Sequence, residues 1–121
     1  TIYVSKGLLL LDLSEKDGRR GHPRFAPDNL RKNALLLQAL LEVAKNKGRT
    51  MAQIAIAWTM AKAEHVVPIP GTKKRKYLNE NLAAAEINLS SSEMEVLNSN
   101  FPVGITAGTR YPERLMEGLG I

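Results

Sequence analysis

Residues 68–81 read PIPGTKKRKYLNEN, and the fold turns on this stretch. With His65, Val66 and Val67 ahead of it, its left side is a short apolar run, His65–Pro70, such as a buried parallel strand shows. Pro68 inside the run argues against a fully hydrogen-bonded central strand. Its right side starts a helix that contains Lys73 to Ala85, with Thr72 as the capping residue. Helix, strand and helix in this order make an α/β pattern. The first turn of that helix holds Lys73, Lys74, Arg75 and Lys76. A helix start already carries partial positive charge, so each exposed cation there costs ~0.3–1 kcal/mol. A bound phosphate reverses that sign, because orphan backbone N–H groups, the Thr72 hydroxyl and the lysines all donate to it. Gly71 is the small residue where backbone and ligand would come close. A solvated basic helix end accounts for the same residues, and residue types alone leave the two readings open.

Upstream, Thr1–Val4 is β-branched and aromatic and reads as a short strand. Gly7–Leu11 extends it or starts a buried turn, since periodicity does not decide so short a run. Ser14 to Ala26 is a charged loop containing glycine. Pro27 and Asp28 open a helix in which Leu30, Ala34, Leu37, Leu41 and Ala44 recur at helical spacing, with Leu36 and Leu40 widening the stripe. Lys45 and Lys47 suit its last turn, and Gly48 ends it in the left-handed conformation. Thr50 and Gln53 form a capping box for the next helix, MAQIAIAWTMAKA, which is apolar nearly all round and needs burial on more than one side. Ser90 and Glu93 repeat the capping box for a further helix, with Glu93 and Glu95 expected in its first turn. Beyond it lie prolines, glycines and a short helical stretch after Pro112. Two short strands cannot make a sheet that covers these helices, so the sequence reads as part of a larger architecture.

The 121 residues suffice for one small domain, and 44% apolar residues with few aromatics describe a soluble chain built on aliphatic packing. No apolar run approaches the roughly 20 residues of a membrane span, so no membrane is expected. The absence of cysteine excludes disulfides, thiolate metal sites and cysteine nucleophiles, and is compatible with a cytoplasmic location. The net charge of +5 is compatible with an anionic partner. Nucleic acid is the weaker choice: KKRK is basic, but no aromatics interleave with it to stack bases, and Arg19, Arg20 and Arg24 read equally as loop charges in water. Two distant histidines, His22 and His65, make no metal cluster and read as a loop residue and a strand-edge residue. Tyr3, Tyr77 and Tyr111 qualify as general acids only beside a Lys or His. No G-x-S-x-G or Ser/His/Asp order is present.

The segment VVPIPGTKKRKYLNENLAAAEINLSSSEMEVL resembles the C-terminal part of aldo-keto reductases, NADP(H)-dependent (β/α)8-barrel enzymes that reduce aldehydes and ketones. GRTMAQIAIAW resembles their penultimate barrel helix. HPRF with NLRKN, and AGTRYPE in the tail, resemble one bacterial and plant branch. SKGLLL is similar, in altered form, to the end of the seventh strand. The resemblance covers most of the chain from Lys6 onward. It implies one domain over residues 1–121, a partial (β/α)8-barrel fragment of α/β class, predominantly helical with one or two short strands.

The resemblance also assigns roles. Gly71, Thr72 and Lys73 would receive the adenosine 2′-phosphate of NADP(H), with Lys74 assisting, and Glu80 and Asn81 would contact the adenine. Tyr77 stands where much of the family has Arg or Gln. Ser5 and Gly7 would correspond to groups near the cofactor pyrophosphate, although the family's Ser-Pro-Leu-Gly pattern is not intact there. The family's catalytic Asp, Tyr, Lys and His come from the first half of a barrel of roughly 250 residues. No residue here matches them, so no catalytic residue is carried over. The expectation is a truncated relative that keeps part of a cofactor site, binds NADP(H) weakly and has no reductase activity alone. Two alternatives stand beside it. One is an interaction module that buries its bare apolar faces in a homo-oligomer, most simply a dimer; the other is a subunit completed by a partner carrying the catalytic half.

Overall fold

The computed structural model describes residues 14–119. The strand expected over Thr1–Val4, the Gly7–Leu11 run, and the correspondences of Ser5 and Gly7 lie outside the described residues, as does Tyr3.

Among the described residues the α-helices are α1 (Pro27–Asn46), α2 (Met51–Met60), α3 (Arg75–Ala83) and α4 (Ser91–Asn100). Short 3-10 turns at Gly18–Gly21 and Pro23–Phe25 structure the loop ahead of α1, one at Ala84–Glu86 continues α3, and two follow Pro112 in the tail. The chain is predominantly helical, as expected. The strand over His65–Pro70 does not form: no described residue is in a strand, and this segment is irregular. A strand is defined by its ladder, and Pro68 and Pro70 lack the N–H to contribute to one. Val67 and Ile69 consequently stand 78% and 92% exposed.

The core lies where α1, α2 and α4 meet. Leu40, Val43 and Ala44 of α1 pack with Ile54 and Ala55 of α2 and Leu97 of α4. Ile54 and Leu97 are fully buried; truncating such a leucine to alanine costs ~2–5 kcal/mol. At the rim, the tilted rings of Trp58 and Phe101 lie 5.6 Å apart, and Trp58 Nε1 donates to Asn98 Oδ1 at 3.0 Å. The apolar stripe read along α1 reaches this core through Leu37, Leu40 and Ala44.

Caps fix the ends of these helices. α1 stops at Gly48, whose φ of 61° lies in the left-handed region. Arg49 N–H then donates to the Ala44 carbonyl at 2.9 Å and Gly48 N–H to the Lys45 carbonyl at 3.1 Å, the double closure of a Schellman motif. Thr50 and Gln53 form the expected capping box on α2, and Gln53 to Ala57 are buried, as its all-round apolar sequence requires. Ser90 and Glu93 form the box on α4. Glu93 alone occupies that first turn; Glu95 falls just beyond it, a correction to the expected pair. Lys47 Nζ lies 3.0 Å from Glu93 Oε2, so a cation at the end of α1 meets an anion at the start of α4.

The helix in the opening stretch begins later than expected. Its cap position is Lys74, which makes no side-chain cap bond. The Thr72 hydroxyl accepts from Lys74 N–H at 3.2 Å and so closes a turn ahead of the helix instead. A Ser/Thr turn of this kind competes locally with the N-cap arrangement. Lys73 and Lys74 therefore precede α3, while Arg75 and Lys76 lie in its first turn.

Candidate functional site

Residues 71–76 form an exposed, positively charged approach to α3. The first intrahelical-type bond runs from Leu78 N–H to the Lys74 carbonyl at 3.0 Å. The N–H groups of Arg75, Lys76 and Tyr77 therefore have no intrahelical acceptor, whereas that of Lys74 is taken by Thr72. Lys73, Lys74, Arg75 and Lys76 are exposed. Lys74 Nζ stands 5.9 Å from the centre of the Tyr77 ring. Lys76 Nζ lies 4.0 Å from Glu80 Oε1 on the next turn, a loose contact.

Gly71 has no internal reason to be glycine. Its φ is not positive, and a Cβ built on it meets nothing within 4 Å. Neither backbone strain nor packing among the described residues excludes a side chain there, as is also true of Gly18 and Gly21, and the backbone at Gly71 is open to close approach. Gly71 and Lys73 thus lie open beside the uncapped helix start, and the Thr72 hydroxyl is tied to Lys74.

Glu80 and Asn81 are adjacent on α3 itself, in its second turn, and both are half-buried. The structure fixes Glu80 through its backbone: Gln53 Nε2 donates to the Glu80 carbonyl at 3.1 Å. Gln53 also accepts from Thr50 N–H at 3.0 Å. One buried amide therefore caps α2 and holds α3 against it. The sequence showed Gln53 as a cap, but its second bond spans 27 residues and leaves no local signal.

A second assembly joins the loop before α1 to the tail. Asn33 Oδ1 accepts from Ala107 N–H at 2.8 Å, and Asn33 Nδ2 donates to the Ala107 carbonyl at 3.0 Å. Arg24 Nε donates to the Gly108 carbonyl at 3.3 Å. His22 Nδ1 lies 3.2 Å from the Arg110 carbonyl, which can only accept, so Nδ1 is the donor. The His22 and Tyr111 rings are 5.4 Å apart. These groups border a cavity of about 560 Å³ between loop, tail and α1. His22 and Arg24 lie 88 and 84 residues from the tail carbonyls they meet, so the sequence shows no local link between them and Tyr111.

Within the loop, Arg19 Nε donates to Asp17 Oδ1 at 2.7 Å, and its terminal nitrogen pairs with Oδ2. That guanidinium hydrogen bond, with the Arg19 backbone N–H, holds the Asp17 carboxyl at about 2, well below its ordinary range. Arg20 donates to the Ser14 carbonyl at 2.9 Å. His65 is exposed. Among the described residues no three acidic or histidine side chains gather as a metal-ligand set, and no helix is long and apolar enough to cross a membrane.

Residues 4–100 match the family model described as the aldo/keto reductase family. The chain is 40% identical over 92 residues to a protein of Glycine max named probable aldo-keto reductase 1; the match covers 76% of this chain and 27% of that protein. It is 35% identical over 101 residues to a protein of Schizosaccharomyces pombe named aldo-keto reductase yakc [NADP(+)], covering 84% of this chain and 30% of the relative. The matched region thus spans under a third of the length of either relative.

Proposed function

The chain belongs to the aldo/keto reductase family, and on that premise we propose that residues 71–81 form the adenosine end of an NADP(H) site. Gly71, Thr72 and Lys73 receive the 2′-phosphate, Lys74 assists, and Glu80 and Asn81 contact the adenine. When bound, the dinucleotide supplies a hydride for carbonyl reduction; the residues of this chain bind and orient it.

The carrying observation is Gly71. No described residue demands a glycine there, and it precedes four exposed cations and an uncapped helix start. These residues fit a phosphate: the ammonium groups offer charge-assisted hydrogen bonds and the helix start offers N–H groups. The name of the Schizosaccharomyces pombe relative, which specifies NADP(+), supports the same choice. No residue in this sequence matches the family's catalytic Asp, Tyr, Lys and His. The 121 residues accordingly bind NADP(H) weakly and reduce no carbonyl compound by themselves. They correspond to the C-terminal part of the family's barrel and act as one unit, in a cytoplasmic setting that the lack of cysteine fits.

Fluorescence titration with NADPH tests this reading, with NADH as the comparison. NADPH is expected to bind at least about tenfold more tightly than NADH, the equivalent of one charge-assisted hydrogen bond. No binding at millimolar NADPH would overturn it.

A second reading rests on exposed apolar surface: Leu35, Val67, Ile69 and Leu82 are each at least 65% exposed. Such surface drives association, either as a homo-oligomer, most simply a dimer, or with a partner that carries the catalytic half. Light scattering showing a stable monomer at high concentration rejects the homo-oligomer, and copurification of a larger fragment identifies the partner.

A further inference from the structure

We propose that the cavity between the Asp17–Phe25 loop and the Thr106–Tyr111 tail binds a small amphipathic carboxylate, a flat apolar body with one anionic end. This goes beyond the cofactor reading and uses none of residues 71–81.

The cavity's volume of about 560 Å³ is in the ordinary range for small-molecule sites. Its walls divide by chemistry. Leu30 and Leu37 of α1, with Phe25 and Phe101, supply apolar surface. Arg19, Arg24, Arg110, His22 and Tyr111, with Asn33 and Thr106, supply the polar border, and among the described residues no Asp or Glu lines the cavity. Arg19 is ion-paired with Asp17, so the cations left facing the cavity without a carboxylate partner among the described residues are Arg24 and Arg110. A concave surface with cations and no carboxylate favours an anion, and the apolar walls favour an organic body over inorganic phosphate.

The polar groups are held in place. The bond from Arg24 Nε to the Gly108 carbonyl at 3.3 Å orients the guanidinium and leaves its terminal N–H fork. His22 Nδ1 holds the backbone of Arg110 at 3.2 Å. Asn33 fixes the adjoining Ala107 to α1 through two hydrogen bonds. An Arg fork matches a carboxylate through two parallel hydrogen bonds, the geometry Lys lacks. A flat ring would then lie against the phenylalanines and leucines.

The test is titration of the 121-residue chain with naphthalene-2-carboxylate, read by calorimetry and by the NMR signals of His22 and Tyr111. Naphthalene-2-carboxamide is the uncharged comparison, and each titration is repeated with NADP⁺ present. The carboxylate is expected to shift both residues, to bind at least about tenfold better than the amide, and to be undisturbed by NADP⁺. Arg110→Met, at an exposed position, is expected to weaken it about tenfold while far-ultraviolet dichroism and the urea unfolding midpoint stay unchanged. Arg24→Lys, which keeps the charge but not the fork, is expected to weaken it as well. No binding at millimolar carboxylate, equal binding of the amide, indifference to both Arg variants, or displacement by NADP⁺ would each overturn the proposal. Failure of NADPH to bind, with the carboxylate binding as described, would refute the cofactor reading alone.

Discussion

The side-chain amide of Asn33 pairs with the backbone of Ala107 as a strand would, accepting from its N–H at 2.8 Å and donating to its carbonyl at 3.0 Å. The two residues are 74 positions apart, so this pairing fastens the tail to α1. Leucine has the same branched shape, though it is bulkier, and offers neither bond. Asn33→Leu should leave the α1–α2–α4 core intact and release residues 106–111, leaving the Ala107 backbone groups to water. Hydrogen exchange is the measurement: the Ala107 amide should lose protection, while the amides around Leu97 keep theirs. Each lost bond is worth about 0.5–1.5 kcal/mol. Unchanged protection at Ala107 would show that the tail is held by other contacts.

Gly108 reports on the same junction independently. Its φ of 85° lies in the left-handed region, and a Cβ there would come within 2.8 Å of the Pro23 backbone. Backbone atoms cannot swing aside as a long side chain can, so Gly108→Ala forces tail and loop apart. A destabilisation of roughly 1–3 kcal/mol is expected, measured by urea unfolding. Gly71→Ala is the contrasting variant. Its Cβ meets nothing within 4 Å, so the free protein should be unaffected while NADPH binding weakens.

Features closed within a few residues were legible in the sequence. Gly48 as a helix stop and both capping boxes required only neighbours three to five positions away, and the structure forms all three. The start of α3 was misplaced by two residues because Thr72 has two local options, and it bonds to Lys74 in a turn. The strand at His65–Pro70 was not decidable locally, since a strand needs a partner that no side-chain pattern of its own supplies. The Asn33–Ala107 and Gln53–Glu80 bonds escaped for a related reason: an Asn or Gln on a helix looks alike whether it faces water or a distant carbonyl.

Acid should loosen the junction between α1 and α4. Partial burial pushes the Glu93 carboxyl up, but the Ser90 N–H and the Lys47 ammonium outweigh it, and the folded value lies below the ordinary 4.5. A carboxyl lowered on folding contributes stability above its unfolded value, and that contribution is lost as the pH falls through the folded value. Glu93→Gln keeps a capping-box acceptor but loses the attraction of Lys47. The melting temperatures of the two proteins should therefore differ at neutral pH and converge as the pH drops below 4.5. Asp17 titrates lower, near 2, and is common to both proteins, so it cancels. A difference that persists at low pH would rule out the Lys47–Glu93 attraction as its source.

Gln53 links core stability to the proposed nucleotide site. Its Oε1 accepts from Thr50 N–H, while its Nε2 donates to the Glu80 carbonyl. Gln53→Glu conserves shape and the capping acceptor but replaces the donor with a second oxygen facing a carbonyl. The position is 6% exposed, so water cannot fully compensate. The expected cost is about 1–3 kcal/mol. Because Glu80 and Asn81 ride on the helix so released, NADPH affinity should fall as well. Loss of stability with unaltered NADPH affinity would place the nucleotide elsewhere.

The exposed cations before α3 make opposite predictions for the free and bound protein. Lys73 has no ion-pair partner among the described residues, and it stands beside Lys74 at the positive end of a helix. Without a phosphate, that charge is unfavourable by ~0.3–1 kcal/mol. Lys73→Gln should leave the free protein as stable or slightly more so. With NADPH the same change removes a charge-assisted hydrogen bond, and affinity should fall about tenfold, while binding of NADH, which lacks the 2′-phosphate, stays the same. Raising salt should narrow the difference, since the pair is exposed and screened. Lys76→Gln is the control, because Lys76 leans toward Glu80 and its loss should matter less. If Lys73→Gln destabilises the free protein and leaves NADPH affinity untouched, the basic run is a structural feature of the helix start and not a phosphate site.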